Sequence, residues 1–152
     1  MGVRSRGRKA LLQARYGAEV NSRSLQANLE DIRQYLADPD LGMGVPFEME
    51  DWNWVSDLAR AVLENRTEID ARLEEVLENW TVDRLSLVTR LILEQALGEM
   101  YYFQPLTPVP VAINEAIELA KAFDEDESAG FVNSVLDKIA KIGNSEDPPQ
   151  GT

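Results

Sequence analysis

The chain has 152 residues, with 27 Asp or Glu against 15 Lys or Arg, a formal charge of -12, and neither cysteine nor histidine. Disulfide frameworks, thiolate and imidazole metal sites, Ser-His-Asp triads and Cys-His dyads are therefore excluded, which leaves carboxylates, Lys, Tyr and hydroxyls for any acid-base chemistry. A chain of this length suffices for one domain that buries roughly two thirds of its unfolded surface.

The charge is distributed unevenly. Residues 1–23 hold six Arg or Lys against Glu19 alone, about +5, so the rest of the chain carries about -17. The opening stretch "VRSRGRKALLQARY" concentrates Arg4, Arg6, Arg8, Lys9 and Arg15. Such a cluster is suited to a polyanion, because cations beside phosphates release condensed counterions and Arg both forks onto phosphate oxygens and stacks on bases. The competing reading is a solvated terminus. Cations at a helix N-terminus also oppose the helix dipole, so a function or an uncoiled arm is needed to account for them.

Between a few Gly and Pro boundaries, apolar residues recur at spacings of three and four, which predicts an all-α protein of about seven helices. Ser5 is a candidate cap for the first helix, with Leu12, Tyr16 and Val20 inward and Leu11, Ala14 and Ala18 beside them. After "VNSRS", Leu25, Leu29, Ile32 and Leu36 form one stripe of a second helix that "ADPDLGMGVP" ends. Asp51 is a candidate N-cap for a third helix burying Val55, Leu58, Ala59 and Val62. Thr67 with Asp70 is expected to start a fourth through Ile69, Leu73, Val76 and Leu77, closed by Trp80.

From about Ser86 to Phe103 the residues are apolar nearly all round, as in a helix enclosed by others. Its most apolar window, "LSLVTRLILEQAL", is short and interrupted by Arg90 and Glu94, so no bilayer span is expected. No apolar segment follows the basic N-terminus as a secretory signal requires, so a soluble, cytoplasmic chain without membrane contact is expected. "QPLTPVP" breaks the helix, after which Ile113, Ala116, Ile117 and Ala120 mark a sixth inward stripe. Ser128 is expected to start a seventh helix with Val132, Val135, Leu136 and Ile139 inward and Gly143 as its C-terminal cap. The remaining carboxylates read as solvated helical faces, and none forms an acid-base pair in sequence, so no enzyme is expected.

Three stretches, "RSRGRKALLQARY", "WTVDRLSLVTRLILEQALGEM" and "VAINEAIELAKAFDEDESAGFVNSVLDK", together resemble the NusB family of bacterial transcription antitermination factors. The resemblance implies a compact helical domain over residues 4–142 built from two packed helical subdomains and a basic RNA-binding arm over residues 1–9, while the apolar-free "NSEDPPQGT" predicts a disordered acidic, Pro-containing tail over residues 143–152. It further implies binding of single-stranded boxA-type RNA of ribosomal RNA transcripts, together with the ribosomal protein NusE, within an RNA polymerase antitermination complex. The free protein is expected to be a monomer or a homodimer, with no cofactor and no metal.

The RNA-binding residues so implied are Arg4, Arg6, Arg8, Lys9, Gln13, Tyr16 and Phe131. Arg6, Arg8, Gln13 and Tyr16 match the family's "RxRxxxxQxxY" spacing, Gln13 to bond a base edge and Tyr16 to stack. Tyr16 also continues the Leu12 to Val20 stripe, so a core role stays open, as it does for Phe131. Asn114 and Glu115 of "AINEA" read as structural residues or partner contacts, and Arg15 stands where the family usually has an aliphatic residue. Two other readings compete: an acidic protein-interaction adaptor, and a detached NusB-like RNA-binding module of the ribosomal RNA methyltransferase type.

Overall fold

A computed structural model describes residues 2–37, 47–78 and 81–146. Among these residues the chain forms seven α-helices and no strand: α1 (Val3–Asn21), α2 (Leu25–Ala37), α3 (Met49–Glu64), α4 (Arg66–Val76), α5 (Leu87–Leu97), α6 (Val109–Phe123) and α7 (Ser128–Glu146). A 3-10 turn occupies Val82–Arg84, and a π-turn, Gly98–Tyr102, follows α5. The all-α expectation is met. The chain divides into two compact units, Met1–Ala61 and Val62–Thr152.

In the first unit α1 packs on α2. The Asn28 side-chain amide donates to the Ala14 carbonyl at 3.2 Å, which fixes the pair where Gly17 leaves room for it. Between them Ser22 adopts the left-handed conformation, φ 58°, and ends α1. Ser24 then caps α2, its Oγ accepting from the Ala27 amide at 3.0 Å. Leu29 is buried on the expected stripe, and Leu25 and Ile32 are half-buried beside it.

Several helix boundaries fall earlier than expected. Helix α1 begins at Val3, so Ser5 lies inside it and supplies no cap, and residues 3–9 of the basic arm form its first turns. Helix α3 begins at Met49, and Asp51 sits in its first turn rather than ahead of it. The Asp51 carboxylate still serves the terminus by accepting the Glu48 amide at 2.8 Å, as the third helical residue does in a capping box. Helix α4 starts at Arg66 after Asn65, which places Thr67 inside it. The expected break at 37–46 and the closing Trp80 lie largely or wholly outside the described residues.

The second unit is organised around α5, which contacts α4, α6 and α7. Leu91, Ile92, Leu93, Ala96, Leu97 and Met100 are all buried, as an all-round apolar helix requires. Ser86 caps α5 by accepting from the Thr89 amide at 3.3 Å, and the Thr89 hydroxyl donates to Asp124, beyond the end of α6, at 2.5 Å. Ile69, Leu73, Val76 and Leu77 of α4 and its exit, and Val132, Val135, Leu136 and Ile139 of α7, are buried as predicted.

Helix α6 is turned relative to expectation. Ala112, Ala116, Leu119 and Ala120 are buried, while Ile113 and Ile117 line an open groove against α7. Small alanines let the two helices approach closely, which leaves the bulkier isoleucines at the rim. Helix α7 runs through Gly143 to Glu146, so Gly143 is no cap, and residues 147–152 of the expected tail lie outside the described residues.

The carboxylates are not all solvated. Glu94 and Glu99 are fully buried, and Asp70 is largely so, in contrast to the reading of acidic residues as exposed faces. Arg66 Nε and Arg90 Nε both donate to Glu94 Oε2, at 3.2 and 3.1 Å. Arg90 also reaches Asp70 at 3.3 Å and Asp83 at 3.2 Å. The Glu99 carboxylate accepts from the Thr107 hydroxyl at 2.9 Å, tying the π-turn to the loop before α6. Burial without such partners would cost several kcal/mol per charge, so these acids belong to the scaffold rather than to a reactive site.

Candidate nucleic-acid interface

The basic arm is a helix with two different faces. Arg4, Arg8, Leu11 and Arg15 are four, three and four residues apart and share one stripe, whereas Arg6, Lys9, Gln13 and Tyr16 share another. Leu11 is fully buried, which makes the first stripe the inward one.

The inward stripe packs on α3. Gly7 brings the backbone so close that a Cβ there would lie 2.9 Å from Val55 Cγ2 and 3.5 Å from the Trp54 ring. Above this contact the guanidinium groups of Arg4 and Arg8 both lie over the Trp54 ring, 5.2 and 5.1 Å from its centroid. Each such contact is worth about 0.5–1 kcal/mol where exposed and about 2 where desolvated. That range exceeds the few tenths of a kcal/mol by which helix-dipole and like-charge effects typically oppose each cation. The conflict between cations and a helix N-terminus is thus met by aromatic faces rather than by an uncoiled arm.

Arg8 is only 5% exposed and Arg15 only 6%, so neither is the solvated cation that the sequence suggests. Arg15, where the resemblance implies an aliphatic residue, is buried with its side chain engaged rather than solvated. Arg6 lies over the Phe47 ring at 5.0 Å, and Phe47 in turn packs on Trp52 with ring centroids 4.9 Å apart.

The other stripe faces outward. Gln13 is exposed, Lys9 and Arg6 are half-buried, and Tyr16 is 43% exposed, so the core alternative for Tyr16 does not hold. Val20, expected inward with it, is also exposed. Leu11 and Leu12 are compatible with two helical faces, and the buried one contains Arg8 and Arg15, which a hydropathy pattern rejects. The outward face therefore presents Lys9, an amide and a phenol in one row with the half-buried Arg6 guanidinium that rests on Phe47, groups able to hold phosphates, bond a base edge and stack.

Phe131 stands in α7, in the second unit, and is 40% exposed, one position from the buried Val132. An exposed aromatic at a helix start is available for stacking. Asn114 is exposed and Glu115 half-buried with its polar atoms engaged. The sequence reading missed Trp54 and Phe47. The signal was available in "DWNWV": two tryptophans two residues apart cannot share a helix face, so one of them has to meet something outside the α3 stripe.

No group of three or more acidic residues suited to a metal ion occurs among the described residues, and no helix there is long and apolar enough to cross a membrane.

Comparison with known proteins agrees with this architecture. The family model described as "NusB family" matches residues 5–141. The transcription antitermination protein NusB of Geotalea uraniireducens is 36% identical over 142 residues, covering 93% of this chain and 97% of that protein. The solved structure of T. maritima NusB is 33% identical, with a TM-score of 0.77 over 91% of this chain and 90% of that one. NusB in a complex of antitermination factors NusB and NusE with dsRNA shares the fold, with a TM-score of 0.72 at 18% identity over 92% of this chain and 96% of that one. With a helical match along nearly its whole length to relatives of its own size, the chain belongs to the NusB family.

Proposed function

We propose that the protein is a cytoplasmic transcription antitermination factor that binds single-stranded boxA-type RNA of ribosomal RNA transcripts together with NusE, within an RNA polymerase antitermination complex. The observation that carries this reading is the outward row Arg6, Lys9, Gln13 and Tyr16 on a chain that is otherwise strongly acidic. Arg6 and Lys9 meet phosphates, Gln13 bonds a base edge, and Tyr16 stacks, with the Phe131 ring as a further stacking surface. Arg4, exposed at the start of α1, adds charge beside the row, and Arg8 adds it from within.

An acidic body repels RNA and slows encounter, so the free chain is a weak binder and a basic partner strengthens it. That need agrees with NusE, a ribosomal protein, as the partner, and with the similar fold found in the NusB and NusE complex with dsRNA.

The test is fluorescence anisotropy of a labelled boxA-like RNA, a scrambled strand and a duplex, with and without NusE, at two salt concentrations. If about four phosphates are neutralised, the log-log salt slope is roughly -3 for a single strand. Preference for boxA that NusE strengthens supports the proposal. NusE binding without RNA discrimination favours the acidic adaptor instead, and tighter binding of the duplex overturns the single-strand assignment.

A further inference from the structure

The first two turns of α1 are an unfavourable helix by their own chemistry: Arg4 and Arg8 are like charges one turn apart, and four cations crowd the positive end of the helix dipole. Gly7 adds the highest conformational entropy of any residue to the same turn. Gly2 ahead of the segment supplies no side-chain cap, so packing from outside the segment bears on its helicity. The ring of Trp54 receives both Arg4 and Arg8, and the Gly7 backbone lies against the same ring and Val55.

We propose that Trp54 is the positioning residue of the RNA interface: by holding Arg4 and Arg8 over one aromatic ring, it keeps residues 3–9 helical and so preorganises the row Arg6, Lys9, Gln13 and Tyr16. The inference rests on the RNA-binding reading and names the device that makes the site rigid. A row presented on a formed helix binds without the ordering penalty that a flexible arm meets. Trp54 itself touches no RNA in this scheme, because guanidinium groups and the Gly7 backbone already lie against its ring.

Position 54 tests the scheme because shape and quadrupole can be separated there. Trp54→Leu keeps an apolar side chain but removes the ring, whereas Trp54→Phe retains a weaker aromatic face. Amide hydrogen exchange of residues 6–9, the first with intrahelical acceptors, reads the arm, exchange of α2 and α5 reports whether each unit stays folded, and anisotropy with the boxA-like RNA and NusE reads binding. The expected result for Trp54→Leu is loss of protection in residues 6–9, unchanged α2 and α5, and affinity lower by roughly fivefold or more, with Trp54→Phe recovering most of both.

Unchanged protection of residues 6–9 in Trp54→Leu overturns the positioning role, as does lost protection with unchanged RNA affinity, or loss of α2 protection along with that of the arm. Failure of the unsubstituted chain to bind RNA overturns the functional reading and this role with it, and is told apart from the other failures because the substitution is not involved.

Discussion

Arg90 Nε donates to Glu94 Oε2 over 3.1 Å within a single turn of α5, although the Glu94 side chain has no exposed surface at all. The same guanidinium reaches Asp70 of α4 and Asp83 of the 3-10 turn, so one cation joins three elements of the second unit. Arg66, at the start of α4, closes the network from the other side.

Removing that cation leaves the buried Glu94 carboxylate to Arg66. Arg90→Leu is expected to lower stability by about 3 kcal/mol, as loss of one member of a buried pair typically does. Adding Glu94→Gln to it recovers part of the loss, because the buried charge is then gone as well. Urea denaturation of the single and double variants measures both effects, and equal midpoints for all three chains would contradict the network's role.

Asp70 makes this network sensitive to pH. Burial first, then the hydrogen bond and charge of Glu94, push its pKa up from 3.8 to about 7, with Arg90 pulling the other way. The folded chain thus keeps a proton that the unfolded chain releases above about pH 4; this stabilisation is complete below that pH and is lost as pH rises through about 7. Between about pH 6 and about pH 8 the site lowers stability by about 1 kcal/mol. Asp70→Asn, which has no proton to release, flattens that slope in urea titrations; an unaltered slope would falsify the assignment.

Gly7 is a packing residue. In Gly7→Ala the new methyl meets Val55 Cγ2 at 2.9 Å, and Val55 is itself fully buried and stiff. Overpacking costs about 1–3 kcal/mol, and the helix propensity gained offsets up to about 1 of it, so a net loss near 1 kcal/mol is expected. Thermal unfolding by circular dichroism measures it, and a stabilised variant would show that α1 and α3 shift apart freely.

The two faces of α1 separate by experiment. Arg8→Ala is expected to lower stability by about 1–2 kcal/mol, since it removes a buried stem and an aromatic contact. Lys9→Ala, Gln13→Ala and Tyr16→Ala change stability by less than about 0.5 kcal/mol but weaken RNA binding, because Gln13 and Tyr16 stand at the surface and Lys9 is half-buried on the same outward row. Thermal midpoints and RNA titrations on the same four proteins decide it; the opposite pattern would reverse the two faces of α1.

Phe131→Ala in α7 is expected to reduce RNA affinity with little loss of helicity, consistent with a ring 40% exposed. Base stacking on an aromatic is typically worth about 1–3 kcal/mol, so a drop of roughly fivefold or more is the expected reading in the anisotropy assay. Undiminished affinity would remove Phe131 from the interface.

The sequence by itself determined the helical class, the family resemblance and the inward faces of α4 and α7, with most of that of α3, because narrow apolar stripes such as Ile69, Leu73 and Val76 leave only one face to bury. It also located the cationic cluster. It did not determine which cations are buried, because an Arg at an inward position is tolerated only where an aromatic ring or buried acceptor stands opposite, and such a partner lies far along the chain. Tertiary structure alone turned Arg8 toward Trp54, turned Tyr16 to the surface, and placed Glu94 between Arg66 and Arg90. Helical periodicity is a local signal, whereas the free energy of a buried charge is set by neighbours that only folding assembles.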